Sequence, residues 1–264
     1  MSGMTATTDR AVRAARMPGD GWRMAVRGFG QLLITGGVVI LLFVVYELWI
    51  TGLYTAAQQH KLLHNIEQEW LHPGGVGEIS TATPAEIKHI PIGSGIAILR
   101  IPRFGKGYHM VVVQGTGYSD LEKGPGHYTD YNSAMPGQVG NFAVAGHRTT
   151  YLHPFYNINE LKPGDPIVLE TKTMWFTYRV QNIPRTKGYP EIHYQEIVNP
   201  DDVQVAYPIP DQPNLDAKPT LKLLTFTSCN PRYSAAQRIV VHALLEQALP
   251  KGPGVLPQSL GGTA

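Results

Sequence analysis

The chain has one cysteine, Cys229, at the end of Thr225-Phe226-Thr227-Ser228-Cys229. A thiol attacks as its thiolate, so a nucleophilic cysteine needs a base or a cation within reach. Two other residues could supply these. His147, one of ten histidines, stands in Gly146-His147-Arg148, just after the apolar run Phe142–Ala145. A histidine at such a strand-to-loop transition is well placed to reach a neighbouring strand's end. Arg238 lies nine residues beyond Cys229, at the head of Ile239-Val240-Val241. Its planar guanidinium can hold a carbonyl or a developing oxyanion. Each residue also has an ordinary reading: a small buried hydrophobe, a solvated histidine, a surface arginine. Tyr128 follows the turn Gly124-Pro125-Gly126. It offers a ring and one hydroxyl to a groove that takes an extended peptide, or it caps the fold.

These residues must be brought together by strands. Leu221–Ser228 is β-branched and apolar, and Asn230-Pro231 ends it because proline cannot continue a ladder. The run after Arg238 begins about eight residues later, so an antiparallel hairpin returns Arg238 close to Cys229. Further strand-like runs are Ile96–Ile101, His109–Val113, Asn141–Ala145, Pro166–Thr171, Met174–Asn182 and Ile239–Leu245. Turn signals separate them, among them Pro136-Gly137 and Pro163-Gly164-Asp165. Phe155–Leu161 is the best helix candidate. The spacing predicts an all-β, closed or nearly closed barrel over residues 95–249, with short helices in its loops. The 28 glycines and 21 prolines argue the same way, against a helical bundle.

Composition narrows the function class. Lysine plus arginine number 22 and aspartate plus glutamate 20, a net charge of +2, which excludes a nucleic-acid binder relying on a basic face. A lone cysteine excludes a disulfide framework and a multi-cysteine zinc site. Gly28–Tyr46 is 19 residues without a charge. That is close to what a helix needs to cross a bilayer, particularly if it continues to about residue 50. Trp22 and Trp49 stand near its ends, where such rings prefer the interface. Arg10, Arg13, Arg16, Arg23 and Arg27 precede it, and Lys61 is the only basic residue among the thirty after position 50. Positive residues stay inside, so residues 1–27 read as a cytoplasmic tail and 28–50 as a single transmembrane helix. Residues 51–94 then read as an extracytoplasmic stalk and 250–264, rich in Gly and Pro, as a flexible tail.

Thr-Phe-Thr-Ser-Cys, an arginine nine residues on and an upstream Gly-His-Arg resemble the sortases, whose signature is Thr-Leu-x-Thr-Cys. Phe226 stands for the leucine and Ser228 for the second threonine, one an apolar swap and the other a hydroxyl kept. Gly124–Tyr128, Pro136–Arg148 and Leu161–Asp165 are similar to class E sortases of actinobacteria. The resemblance covers about residues 95–249 and implies a sortase-type closed barrel of about eight strands. It implies Cys229 as nucleophile, His147 as the acid and later the base for the two amines, and Arg238 as substrate orienter and transition-state stabiliser. Thr227 and Ser228 come with the signature as substrate-binding residues, and Tyr128 occupies the sorting-signal pocket. The implied reaction cleaves an L-A-x-T-G or L-P-x-T-G sorting signal of a secreted protein between Thr and Gly. The acyl group then passes to an amine, usually of a peptidoglycan precursor. No metal and no cofactor is implied. L,D-transpeptidases also place one cysteine on a β-rich extracytoplasmic domain, but carry histidine and glycine directly before it, where this chain has Thr227-Ser228. A wall-associated domain with an inert cysteine is the non-enzymatic alternative.

Overall fold

A computed structural model describes residues 20–46, 51–72, 78–186 and 188–263. Trp49, Arg10, Arg13 and Arg16, on which the membrane reading also drew, lie outside these residues.

The chain divides into two units, Met1–Tyr46 and Glu47–Ala264. The described part of the first is one helix, α1 (Asp20–Val45). Within Gly21–Val45 the most apolar stretch has a mean hydropathy of 2.3 with none of it buried, so the helix is long and apolar enough to cross a membrane.

The second unit is a barrel. Its strands are β1 (Gly95–Arg100), β2 (His109–Gln114), β3 (Gly126–His127), β4 (Gly140–Ala145), β5 (Pro166–Glu170), β6 (Met174–Val180), β7 (Gln195–Val198), β8 (Lys222–Asn230) and β9 (Gln237–Pro250). They lie in the order β6-β5-β1-β2-β3-β4-β8-β9, and β6 pairs with β9 to close the ring. The expected closed barrel of about eight strands is therefore observed, with β7 added outside on β9. Two pairs, β2–β3 and β4–β8, are parallel and the rest antiparallel. The β4–β8 pairing matters most, because it runs the strands leading to His147 and Cys229 side by side in the same direction.

Alternation explains which side chains fill the barrel. Ala97, Leu99 and Ile101 point inward with Phe142, Val144, Leu224, Phe226 and Tyr178, all fully buried or nearly so. Ile98 points the other way, into a second cluster with Val111, Val113 and Leu62 and Ile66 of helix α2 (Thr51–Leu71). β1 is thus covered on both faces, and its sequence is continuously apolar for that reason. Gln59 of α2 completes the contact. Its amide nitrogen donates to Val111 O (3.1 Å) and its carbonyl accepts from Val111 N (2.7 Å), pairing β2 backbone where β3 is only two residues long.

Three elements differ from the sequence reading. The stretch read as a stalk begins with α2, which lies on the barrel wall rather than apart from it. Phe155–Leu161 forms only a 3-10 turn, Ile158–Glu160. Its buried residues Phe155, Ile158 and Leu161 recur every three positions, the 3-10 period. The segment after 250 is anchored at its first residue: Lys251 Nζ donates to Glu170 Oε1 (2.7 Å), and the ammonium lies 4.3 Å from the Trp70 ring.

Candidate active site

The β8–β9 register pairs Cys229 directly with Arg238, so the two side chains share one face of the hairpin, with Thr227 two residues back. The hairpin expected from the sequence is the one observed. Arg238 is half-buried and its Nη1 donates to Ala235 O (2.9 Å) and Gln237 O (3.0 Å), which folds the connecting loop around the guanidinium.

His147 arrives from β4. Ala145 stands opposite Thr227 in the parallel ladder, and the ladder is prolonged by two bonds: Gly146 N donates to Thr227 O (3.1 Å) and Ser228 Oγ donates to Gly146 O (2.7 Å). The residue after Gly146 is thereby held level with the residue after Ser228, which is Cys229. Glycine is required at 146: a Cβ there would stand 2.6 Å from the Phe155 ring. Phe155 in turn packs on Phe226 at 4.6 Å between ring centres. The imidazole of His147 is half-buried, and its Nε2 is a buried nitrogen with no hydrogen-bond partner, the Cys229 thiol included. Burial pushes the His147 pKa below its ordinary value, opposed by the negative charge of Glu122.

Tyr128 reaches the same face. Its amide donates to Ala143 O (3.0 Å) and its hydroxyl shares a 2.9 Å hydrogen bond with Thr227 Oγ1. Burial raises its pKa, opposed by that hydrogen bond and by the charge of Arg238, so the phenol keeps its proton. Thr227 and Ser228 are both buried, and they part company: Thr227 turns its hydroxyl to Tyr128, whereas Ser228 spends its hydroxyl on the Gly146 carbonyl.

Arg148, present in the Gly-His-Arg triplet but given no role from sequence, is 4% exposed. Its guanidinium donates to Cys229 O (3.0 Å), Tyr156 O (3.0 Å) and Asn159 Oδ1 (2.7 Å). It clamps the backbone of Cys229 to the loop after His147, and truncating it removes the clamp on the Cys229 carbonyl, while Arg232 still donates to Tyr156 O (3.3 Å) and Asn159 Oδ1 (3.3 Å). A fully buried core arginine could not be told from a surface one in the sequence.

His127, next to Tyr128, is fully buried against Phe142, with ring centres 4.9 Å apart. Burial pushes its pKa from 6.5 down to about 3. The folded chain therefore refuses a proton that the unfolded chain takes, and between about pH 6.5 and 3 this costs about 1.4 kcal/mol per pH unit. His127→Gln is expected to lower the melting temperature at neutral pH, by losing packing, yet to flatten its fall toward acid. A fall as steep as in the unchanged chain would show that other groups dominate acid denaturation.

A cleft of about 680 Å3 lined by Arg100, Lys106, Tyr108, Trp175 and Leu256 lies elsewhere. Trp175 pairs with Leu249, eleven residues along β9 from Arg238 and so roughly 35 Å down the strand. Among the described residues no group of three or more His, Cys, Asp or Glu could hold a metal ion.

Comparisons with known proteins converge on one family. The sortase domain family matches residues 99–246. Sortases SrtE1 and SrtE2 of Streptomyces coelicolor are 33% and 32% identical over 247 and 253 residues, which cover 91% and 90% of this chain. The chain spans 62% of the length of the first and 92% of the second. A solved structure of sortase E1 from Streptomyces coelicolor with a tripeptide in the active site superposes with a TM-score of 0.52 at 31% identity, over 64% of this chain and 97% of the other. With a closed barrel that sets a cysteine against an arginine at the end of a hairpin, and a family match over more than half its length, the chain belongs to the sortases, a family of cysteine transpeptidases.

Proposed function

We propose that the protein is a membrane-anchored class E type sortase that cleaves an L-A-x-T-G or L-P-x-T-G sorting signal between Thr and Gly and joins the new carboxyl end to an amine of the cell wall. The observation that carries this reading is the Cys229–Arg238 register pair, flanked by the Gly146–Ser228 tie that brings His147 level with it.

The chemistry divides among the three residues. The Cys229 thiolate attacks the threonine carbonyl carbon, forming the S–C bond and moving an electron pair onto oxygen. Arg238 holds that oxyanion, and its planar fork can do so while Nη1 keeps its loop carbonyls. The C–N bond breaks as His147 gives its proton to the leaving glycine nitrogen, which leaves a thioester on Cys229. The incoming amine loses a proton to His147, bonds to the carbonyl carbon, and expels the thiolate. The unpartnered Nε2 of His147 suits this exchange, since no protein group competes for it. Helix α1 suits the role of anchor, and the arginine bias before it supports a cytoplasmic N-terminus with the barrel outside. The wall acceptor is a peptidoglycan precursor amine. The tripeptide bound by the related sortase E1 supports a peptide as the substrate class.

Specificity falls to Tyr128. Its ring lies beside Thr227 on the Cys229 face and suits the side chain two positions before the signal threonine, alanine or proline. The test uses the full chain in detergent with L-A-x-T-G and L-P-x-T-G peptides, an amine, and mass detection of product. Tyr128→Ala is expected to change the ratio of the two rates by about tenfold to a few hundredfold, the range one or two methylenes can discriminate. An equal drop on both peptides together with a lower melting temperature would assign Tyr128 to packing, and no product from either peptide with the unchanged chain would overturn the function.

A further inference from the structure

We propose that Tyr151 is the positioning residue of His147, with Glu122 and Tyr118 as the two groups that hold it. The inference rests on the reading of His147 as the proton carrier. The Tyr151 ring lies on the imidazole, with centres 5.0 Å apart and planes tilted by 37°. Its hydroxyl donates to Glu122 Oε1 (2.9 Å) and meets the Tyr118 hydroxyl at 2.8 Å. Tyr118 closes over it edge to face, at 6.2 Å.

The holding groups are themselves fixed. Tyr118 begins the short helix α3 (Tyr118–Leu121) and Glu122 ends it. The Glu122 carbonyl accepts from Thr55 Oγ1 (2.8 Å) of α2, so the helix that lies along the barrel braces the carboxylate's residue. The loop that carries Tyr151 is wound tightly. Tyr151, Leu152 and His153 are three consecutive non-glycine residues with positive φ, at 51°, 59° and 39°. Such a run costs free energy at each residue and persists only where surrounding bonds impose it. Here His153 N donates to Thr150 O (2.7 Å) and Phe155 N to His147 O (3.1 Å), which turns the Tyr151 ring back onto the histidine that precedes it by four.

A ring stacked against a half-buried imidazole with an unpartnered Nε2 limits how far the imidazole can tilt, and proton transfer depends steeply on that angle. The carboxylate adds an electrostatic effect. Titratable and charged groups on the elements around His147 are Tyr118 from α3 and Glu122 at its end, Arg148, Tyr151 and His153 from its own loop, Cys229 from β8 and Arg238 from β9. Of these, Glu122 is the one that favours the charged imidazole against burial. Removing its charge lets burial act unopposed, so His147 loses its proton at a lower pH.

The experiment compares Tyr151→Ala, Tyr151→Phe, Glu122→Gln and His147→Ala with the unchanged full chain in detergent, using a sorting-signal peptide and an amine across pH. Tyr151→Ala is expected to lower kcat about 10- to 100-fold with KM changed little, the scale of loss for a mispositioned group. Tyr151→Phe keeps the ring without its pin and should lose less. Glu122→Gln keeps an acceptor for the Tyr151 hydroxyl. Its rate relative to the unchanged chain should approach one only well below the His147 pKa and fall as pH rises through it, levelling off about three- to tenfold lower. That pH-dependent ratio is a signature that loss of packing does not produce, and if Tyr151→Ala fails to fold, Tyr151→Phe carries the test of the ring's pin. A Glu122→Gln ratio flat with pH, together with Tyr151→Phe at the full rate, overturns the proposal. Activity retained in His147→Ala overturns the reading beneath it; an inactive His147→Ala beside a flat Glu122→Gln ratio and a full-rate Tyr151→Phe overturns the positioning role alone.

Discussion

Cys229→Ala is expected to abolish both cleavage of the sorting signal and transfer to an amine, while the melting temperature stays within a few degrees. The chain has no other thiol, so nothing can take over the acyl group. The side chain is half-exposed at the strand end, and its removal opens no core cavity, because the inward positions of β8 are Leu224 and Phe226. The backbone around it is held by bonds that the substitution leaves intact, from Arg148 to the Cys229 carbonyl and from Gly146 to Thr227. Loss of rate is therefore expected without loss of fold. Retained transpeptidation in a variant with an unchanged melting curve would remove the thioester mechanism.

Arg238→Lys is expected to be impaired by well over tenfold in kcat/KM, more than about 1.4 kcal/mol of transition-state stabilisation. The charge is kept, so a purely electrostatic role would survive. The planar fork is lost. Arginine satisfies Ala235 O and Gln237 O with Nη1 and still has other nitrogens to offer the Cys229 side of the hairpin. A single ammonium must choose between the loop and the oxyanion. A loss below tenfold would make Arg238 a strand-end residue that merely closes its own loop.

Much of the barrel is legible in the sequence because its strands are apolar on an even period or covered on both faces. Seven of the nine strands announce themselves that way. β3 does not, since two residues, Gly126 and His127, carry no period. β7 does not either, being a half-exposed strand of Gln, Glu, Ile and Val laid on the outside of β9. The docking of α2 is hidden for a different reason: Leu62 and Ile66, with Leu63 and Trp70 beside them, share the helix with exposed apolar residues such as Leu53 and Leu71 and with many polar ones, so no clean apolar face marks the contact. The Cys229–Arg238 hairpin is legible because it is local, nine residues end to end. His147 is legible as a glycine-preceded histidine leaving a strand, but its neighbours are not. Glu122 and Tyr151 are 29 residues apart and meet only through the tertiary fold, as Arg148 meets the Cys229 carbonyl across 81. The alternatives of an L,D-transpeptidase and of an inert wall-binding domain give way to membership of the sortase family.

The central claim is a thioester on one sulfur, and its most direct measurement is the intact mass of the full chain mixed with an L-A-x-T-G peptide in the absence of an amine, followed by peptide mapping. The account predicts a mass increase equal to the peptide up to and including its threonine, carried on Cys229, removed by hydroxylamine or by an added amine, and missing from Cys229→Ala. Product formed at full rate with no adduct on Cys229 under rapid acid quench, or an adduct mapped to any other residue, would contradict it.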